Sequence, residues 1–153
     1  MEKEIQFKEL LALRQKSWGR IVFHLRKKYE DWLIEKLAER GYPDFRMSYM
    51  QVFMYIGTDG SISNDMATQA NVSRQAMSKI VKDLEEQGYI TANPDENDRR
   101  TLSLFLTRKG KTLATEILKA LDQLTQEYKE VIGAKRFESA MQVFLDILEY
   151  HEK

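Results

Sequence analysis

The tightest constraint on the fold lies in residues 97–110. Asn97-Asp98-Arg99-Arg100 is a polar turn, Thr101-Leu102-Ser103-Leu104-Phe105-Leu106 has the texture of a strand, and Thr107-Arg108-Lys109-Gly110 opens a helix. Leu102, Leu104 and Leu106 alternate with Thr101 and Ser103, which gives the strand one apolar face. Phe105 interrupts the alternation, so part of the opposite face is expected to be covered as well. Tyr89 to Asn93 reads as the partner strand, and the two form a small hairpin with paired arginines at its tip. The commonest use of such a pair is to bring guanidinium groups to phosphates or into a minor groove. A local ion pair between Asp98 and Arg100 would stiffen the turn and is compatible with that use.

Helical segments surround the hairpin. Residues 5 to 40 read as one amphipathic helix, with Trp18, Ile21, Val22, Leu25, Tyr29, Trp32, Leu33 and Leu37 on a stripe. Gly41-Tyr42-Pro43 ends it. Ser48-Tyr49-Met50-Gln51 fits a capping box that opens a shorter helix through Val52, Phe53 and Ile56. Thr58-Asp59-Gly60 is a turn, and a short helix follows over Asp65 to Ala70. After a tight connection at Asn71-Val72, Ser73 caps a helix that runs to about Gln87 and stops at Gly88. Beyond the hairpin, Thr107 caps a helix of about 25 residues with Leu113, Ile117, Leu121, Leu124 and Tyr128 on one stripe. A last helix carries Phe137, Met141, Phe144, Ile147 and Leu148.

Two short helices joined by a tight turn and followed by a hairpin make a winged helix-turn-helix. The fold class is therefore mainly α with a small β-hairpin wing. The expected division is residues 1–45 as an N-terminal dimerisation helix, 46–110 as the winged helix-turn-helix, and 111–153 as C-terminal dimerisation helices. At about 100° per residue, Met77, Ile80, Val81 and Leu84 form the buried side of the second helix of the pair. Gln75, Ser78, Lys79 and Lys82 fall on the opposite side, mostly in the half that enters a major groove. Gln75 suits bidentate pairing with adenine, Lys79 reaches guanine acceptors or a phosphate, and Arg74 in the first turn suits the backbone. Ser73, Arg74, Gln75, Ser78, Lys79, Lys82, Arg99 and Arg100 are the candidate DNA contacts. A solvated polar face is the plain alternative for the helix. Glu86, at the far end of that face, is the one residue opposed to a phosphate partner.

The segment from Asn64 through Gly110 resembles the multiple antibiotic resistance regulator (MarR) family of winged-helix transcription factors. The likeness rests on Asp98-Arg99-Arg100 followed by Leu106-Thr107-Arg108-Lys109-Gly110, close to that family's D-x-R…L-T-x-x-G signature. Ser73, Ser78, Leu84-Glu85 and Gly88-Tyr89-Ile90 fit its recognition helix and strand entry. The chain departs from the pattern at Asn93, where the family often places an arginine. The resemblance implies a homodimer, often a repressor, that binds an inverted-repeat operator in double-stranded DNA; a cytoplasmic location is the default expected of a chain with neither a signal peptide nor a membrane span. The resemblance also implies release by a small aromatic effector held between the dimerisation helices and the winged domain. Trp18, Phe23, His24, Trp32, Tyr49 and Phe53 are the first aromatic residues to consider for that pocket, with ordinary core packing as the competing role.

Composition supports the picture only in part. The 24 basic and 24 acidic side chains cancel, but residues 71–111 carry a balance of +2 and residues 112–153 one of −3. A helix of 25 residues is about 38 Å long, more than a compact winged helix covers, and surplus apolar stripes on the terminal helices call for a partner. Cysteine is absent, which removes disulfides, thiolate metal sites and thiol-based peroxide sensing. His24 and His151 are the only histidines, so metal sensing is not expected. No apolar run approaches a membrane span, and the charged start Met1-Glu2-Lys3-Glu4 is unlike a signal peptide. No phosphate loop, nucleophile elbow or His-x-x-x-His pair points to an enzyme, and no cofactor is expected. A winged helix used for protein–protein contact would need an apolar exposed face in place of Gln75, Ser78, Lys79 and Lys82.

Overall fold

The computed structural model describes residues 2–14 and 16–152, with the backbone alone for residues 2–6 and 12. Two compact units divide the chain, Met1–Met47 and Ser48–Lys153.

In the first unit, α1 (Glu2–Arg14) and α2 (Trp18–Glu39) replace the single helix expected over residues 5 to 40. The break has a local cause. Ser17 stands at the N-cap of α2 in extended conformation, and its hydroxyl donates to the Arg14 carbonyl at 2.9 Å and accepts from the Arg20 N–H at 3.4 Å. A serine that serves the backbone in this way competes with helix continuation. Leu33, Leu37 and Phe45 are buried, whereas Trp18, Ile21, Val22 and Leu25, from the N-terminal half of the same stripe, are exposed.

The second unit begins with a 3-10 turn (Met47–Tyr49) that runs into the one-turn α3 (Met50–Phe53). The capping box expected at Ser48 does not form, and α3 has no side-chain cap. Tyr49 instead turns inward, almost fully buried. Then come β1 (Ser61–Ile62), α4 (Ser63–Gln69), α5 (Arg74–Glu86), β2 (Ile90–Pro94) and β3 (Leu102–Leu106). Asn71, in the tight connection between α4 and α5, takes φ +53°, a left-handed conformation that asparagine tolerates better than most residues. Ser73 caps α5 through the Ala76 N–H at 3.0 Å, and Gly88, at φ +74°, follows its C-terminal end.

The hairpin is part of a three-stranded antiparallel sheet in the order β1-β3-β2. The third strand was not expected. It is two residues long, with Ser61 opposite Leu104 and Ile62 opposite Ser103, too short for any alternation to announce it. Leu104 is fully buried, and the exposed Phe105 ring lies over Gly60. Met66, Met77, Val81, Leu84, Ile90 and Leu113 complete the buried centre of this unit.

Thr107 caps α6 (Arg108–Ile132) through the Gly110 N–H at 3.0 Å. Gly133 then turns the chain into α7 (Ala134–Glu152), which packs along α6 with Phe137 6.2 Å from Tyr128, ring centre to ring centre. No residue of α7 is buried. Among the described residues, no helix is long and apolar enough to cross a membrane.

Candidate nucleic-acid interface

The α4–α5 pair and the hairpin lie in the same unit, and together they assemble the eight residues singled out above. Met77, Val81 and Leu84 face the interior of α5 and Ile80 is half-buried, so the opposite side must face solvent. Arg74, Gln75, Ser78, Lys79 and Lys82 are all exposed there. Ser73 is also exposed, and its oxygen is used by the cap. The cap uses the oxygen as an acceptor only, so the hydroxyl can still donate to a phosphate at the positive end of the helix. Lys82 lies 3.8 Å from Glu86, an exposed pair one turn apart. That contact accounts for Glu86: it partly neutralises Lys82 and leaves Arg74 and Lys79 as the stronger cations of this face.

The wing tip is tied together by two aspartates. Asp98 Oδ1 accepts from the Arg100 N–H at 3.0 Å and from Arg100 Nε at 3.1 Å, the brace expected from the sequence. Asp95 was not foreseen, although it organises more of the turn. Its Oδ1 accepts the N–H groups of Asn97 (2.9 Å) and Asp98 (3.0 Å), and its Oδ2 accepts the Ser103 hydroxyl at 2.7 Å. The Ser103 hydroxyl, and after it the Asp98 and Asn97 amides, hold the Asp95 carboxyl below its ordinary pKa, because each bond favours the ionised form. The signal was legible: an aspartate followed by Asn and Asp at the second and third positions is the pattern of a side chain that bonds its own turn. Arg99 and Arg100 are both exposed, and the Arg100 side chain is 92 % accessible despite its brace.

The base of the wing is anchored to α4. Ser63 Oγ accepts the Leu102 N–H at 3.2 Å and lies 3.2 Å from the hydroxyl of Thr101, which is itself buried. On the outer side of β2, the Glu85 carboxylate of α5 accepts the Ala92 N–H at 3.1 Å. Tyr49 buries its ring and donates its hydroxyl to Asp83 Oδ2 at 2.7 Å, while Gln87 Nε2 donates to Asp83 Oδ1 at 3.1 Å and to the Tyr49 oxygen. This part-buried link between the 3-10 turn and the end of α5 leaves no trace in hydrophobic periodicity, since its members are 34 and 38 residues apart.

The six aromatic candidates for an effector pocket divide between the two units. Trp18, Phe23 and His24 are exposed, with the Phe23 and His24 rings edge to face at 5.8 Å. Trp32 is half-buried beneath Lys36, whose ammonium is 5.7 Å from its ring. In the second unit Tyr49 is committed to Asp83 and Gln87, and Phe53 is half-buried.

Comparison with known proteins agrees with this geometry. Residues 44–101, from the last residues of the first unit to the end of the wing turn, match the model of the MarR family. The chain is 32% identical over 99 residues to the HTH-type transcriptional regulator YybA of Bacillus subtilis, a stretch covering 58% of this chain and 65% of that one. It is 29% identical over 108 residues to the HTH-type transcriptional regulator FarR of Neisseria gonorrhoeae, covering 70% and 62%. The matched stretches thus span slightly under two thirds of these relatives' lengths. In fold, the chain superposes on the transcriptional repressor CouR, solved on a 23-mer DNA duplex, with a TM-score of 0.76 at 17% identity over 90% of this chain and 96% of that one. Family and relatives are described as regulators of transcription rather than enzymes. With the helix-turn-helix, the wing and the D-x-R…L-T-x-x-G residues in one unit, residues 44–101 carry a winged helix-turn-helix that matches the MarR family of transcriptional regulators.

Proposed function

We propose that this protein is a sequence-specific regulator that binds double-stranded DNA as a homodimer, and that it represses by occupying an inverted-repeat operator. The observation that carries the reading is the exposed polar face of α5, capped at its N-terminus by Ser73, beside a wing that projects Arg99 and Arg100. Gln75, Ser78 and Lys79 read base edges in the major groove, while Arg74, Arg99 and Arg100 hold the backbone or the minor groove. The duplex bound by CouR, a protein of similar fold, supports DNA as the ligand. The polar character of the face disfavours a winged helix used only for protein contact.

Exposed apolar side chains support the homodimer. In the second unit Leu118, Val131, Val143, Leu145 and Leu148 face solvent, and α7 has nothing buried. In the first unit Phe7, Leu10, Leu13, Trp18 and Phe23 do the same. Surfaces of this kind need a partner, and a second copy supplies matching ones. A twofold dimer places half-sites about one turn, roughly 10 bp, apart. Release by a small aromatic ligand belongs to the same proposal, and Trp18, Phe23 and His24 retain the accessible rings such a ligand needs.

A titration of DNA from the region beside the protein's own gene, followed by gel shift at low salt, tests the first claim. Retardation at or below micromolar protein is expected, and none at that concentration overturns the reading. Light scattering at micromolar concentration is expected to give twice the 18.0 kDa chain mass, and a monomer mass refutes the homodimer. Mass spectrometry of protein purified under native conditions is expected to find a bound aromatic compound that weakens DNA binding when added back. If no added aromatic ligand shifts the operator affinity, the effector part falls.

A further inference from the structure

We infer that the first turn of α6, through Thr107, Lys109 and Gly110, fixes the position of α5 and thereby governs how sharply the protein separates its operator from other DNA. The inference rests on the reading of α5 as the helix that contacts bases.

After α5 the chain turns through Gln87, Gly88 and Tyr89, and α6 takes up all three carbonyls of that corner. Lys109 Nζ donates to the Gln87 oxygen at 2.8 Å. The Thr107 hydroxyl reaches the Gly88 oxygen at 2.7 Å and the Tyr89 oxygen at 3.1 Å, and the Thr107 N–H donates to the Tyr89 oxygen at 3.0 Å. The same Lys109 ammonium lies 4.5 Å over the Tyr89 ring, a second attraction on the same corner. Gly110 lets the two backbones meet. A Cβ at that position would fall 1.9 Å from the Tyr89 oxygen and 2.9 Å from its carbonyl carbon, and backbone cannot swing aside as a side chain can. A second element holds the same turn: the Gln87 side-chain amide, which also bonds Asp83 within α5, donates to the Tyr49 oxygen. The final turn of α5 is therefore held by two separate elements, the start of α6 and Tyr49, while the residues of its reading half are exposed.

The grip acts at the far end of a lever. Gln75 and Gln87 are separated along the helix by about 18 Å. A tilt of about 5° at the clamp moves the Gln75 backbone by about 1.5 Å over that length, whereas a base-edge bond needs its donor placed within about 0.5 Å. Phosphate contacts made by long, flexible Lys and Arg side chains follow such a shift, and they supply the sequence-independent affinity. Loosening the clamp should therefore cost discrimination and spare general DNA binding. Lys109 does not act as a phosphate contact, because its ammonium is spent on a carbonyl and a ring at the opposite end of α5 from the reading residues.

Fluorescence anisotropy with the operator and with a scrambled duplex of equal composition, each over a series of salt concentrations, tests this. Lys109→Met keeps the apolar stem and removes the ammonium. It is expected to weaken operator binding at least fivefold, leaving the scrambled affinity within twofold and the salt slope unchanged. Lys109→Arg, which can still donate to the Gln87 carbonyl and stack on Tyr89, is expected to recover the operator affinity to within twofold. Gly110→Ala is expected to lose more discrimination than Lys109→Met if it folds, and circular dichroism decides whether it does. Should it not fold, the two Lys109 variants carry the test alone. Equal losses on both duplexes with a shallower slope would make Lys109 a phosphate contact and overturn the inference. Unchanged discrimination in Lys109→Met, or in a folded Gly110→Ala, overturns it too. A wild-type protein that fails to separate the two duplexes removes the reading of α5 itself, a result distinct from any behaviour of the variants.

Discussion

Arg100→Ala probes the wing most directly, and its effect can be worked out as a change in salt dependence. The side chain is 92 % accessible and, among the described residues, pairs only with Asp98. An exposed pair of this kind contributes at most about 1 kcal/mol to stability. The N–H of residue 100 still donates to Asp98 Oδ1 in the variant, so the turn keeps part of its own brace. Loss of binding would therefore report lost contacts with DNA rather than a collapsed wing. Each phosphate neutralised contributes about 0.9 to the slope of log K against log salt. A dimer presents two wings, so the variant should be shallower by about 1.8. Between 50 and 200 mM salt, that difference shrinks the gap between wild type and variant by about twelvefold, as against about 3.5-fold for a single wing. Anisotropy titrations at five salt concentrations within that range measure both slopes. Parallel lines, with any constant offset, would mean that Arg100 releases no counterion and would refute its assignment to the backbone or minor groove. Arg100→Lys should regain most of the slope, since counterion release depends on charge more than on shape.

Three other substitutions separate the roles. Gln75→Ala is expected to relax preference at one base pair per half-site, by roughly 1–3 kcal/mol, without altering the salt slope; a panel of single-base operator variants checks it, and a uniform loss across the panel counts against base reading. Tyr49→Phe takes the 2.7 Å donor from Asp83 Oδ2 and is expected to lower stability by about 1–3 kcal/mol in urea unfolding, whereas no change would show that other groups satisfy Asp83 and Gln87 equally well. The Asp95 carboxyl, held low by Ser103 and the turn amides, stabilises the folded wing in its ionised form. Its contribution is complete above the ordinary aspartate range and disappears as pH falls through the lower folded-state value. An NMR titration of the Asp95 carboxyl is expected to give a midpoint below that of an ordinary aspartate, and Ser103→Ala should move it upward; a midpoint that Ser103→Ala leaves in place would remove the Ser103 bond as its main cause.

The sequence announced whatever repeats or caps. α5 and α6 were legible from their apolar spacing and from Ser73 and Thr107, both of which form the caps their positions suggest. The wing was legible from the alternation of Leu102, Leu104 and Leu106 and from the polar turn before them. Periodicity alone did not reveal the break at Ser17, because the residues on either side continue the same stripe and only the serine's own hydrogen bonds divide it. The Ser48 box failed for the opposite reason: its letters fit, but burial of Tyr49 against Asp83 prevailed over a local cap. Links between distant positions, such as Tyr49 with Gln87 or Ser63 with Thr101, require the fold before they can be seen. Of the wing's two aspartates, Asp98 stood out beside Arg100, while Asp95 was overlooked although its turn chemistry was visible in the sequence.

Strand β2 lies at an edge of the sheet, where unpaired amides ordinarily invite a stranger's backbone. The Ala92 N–H points away from β3 and is taken by Glu85. Two residues on, in the same direction, stands Pro94, which has no N–H to offer. Two successive positions along the outer margin thus present no free donor, and an extended segment from another molecule finds no ladder to extend. A wing of this kind can be held out into solvent at the concentrations a regulator reaches without seeding strand-to-strand aggregates. Replacing Glu85 with alanine and Pro94 with valine would reopen that margin, so the feature that keeps the wing solitary resides in a helix residue and a proline rather than in the arginines at its tip.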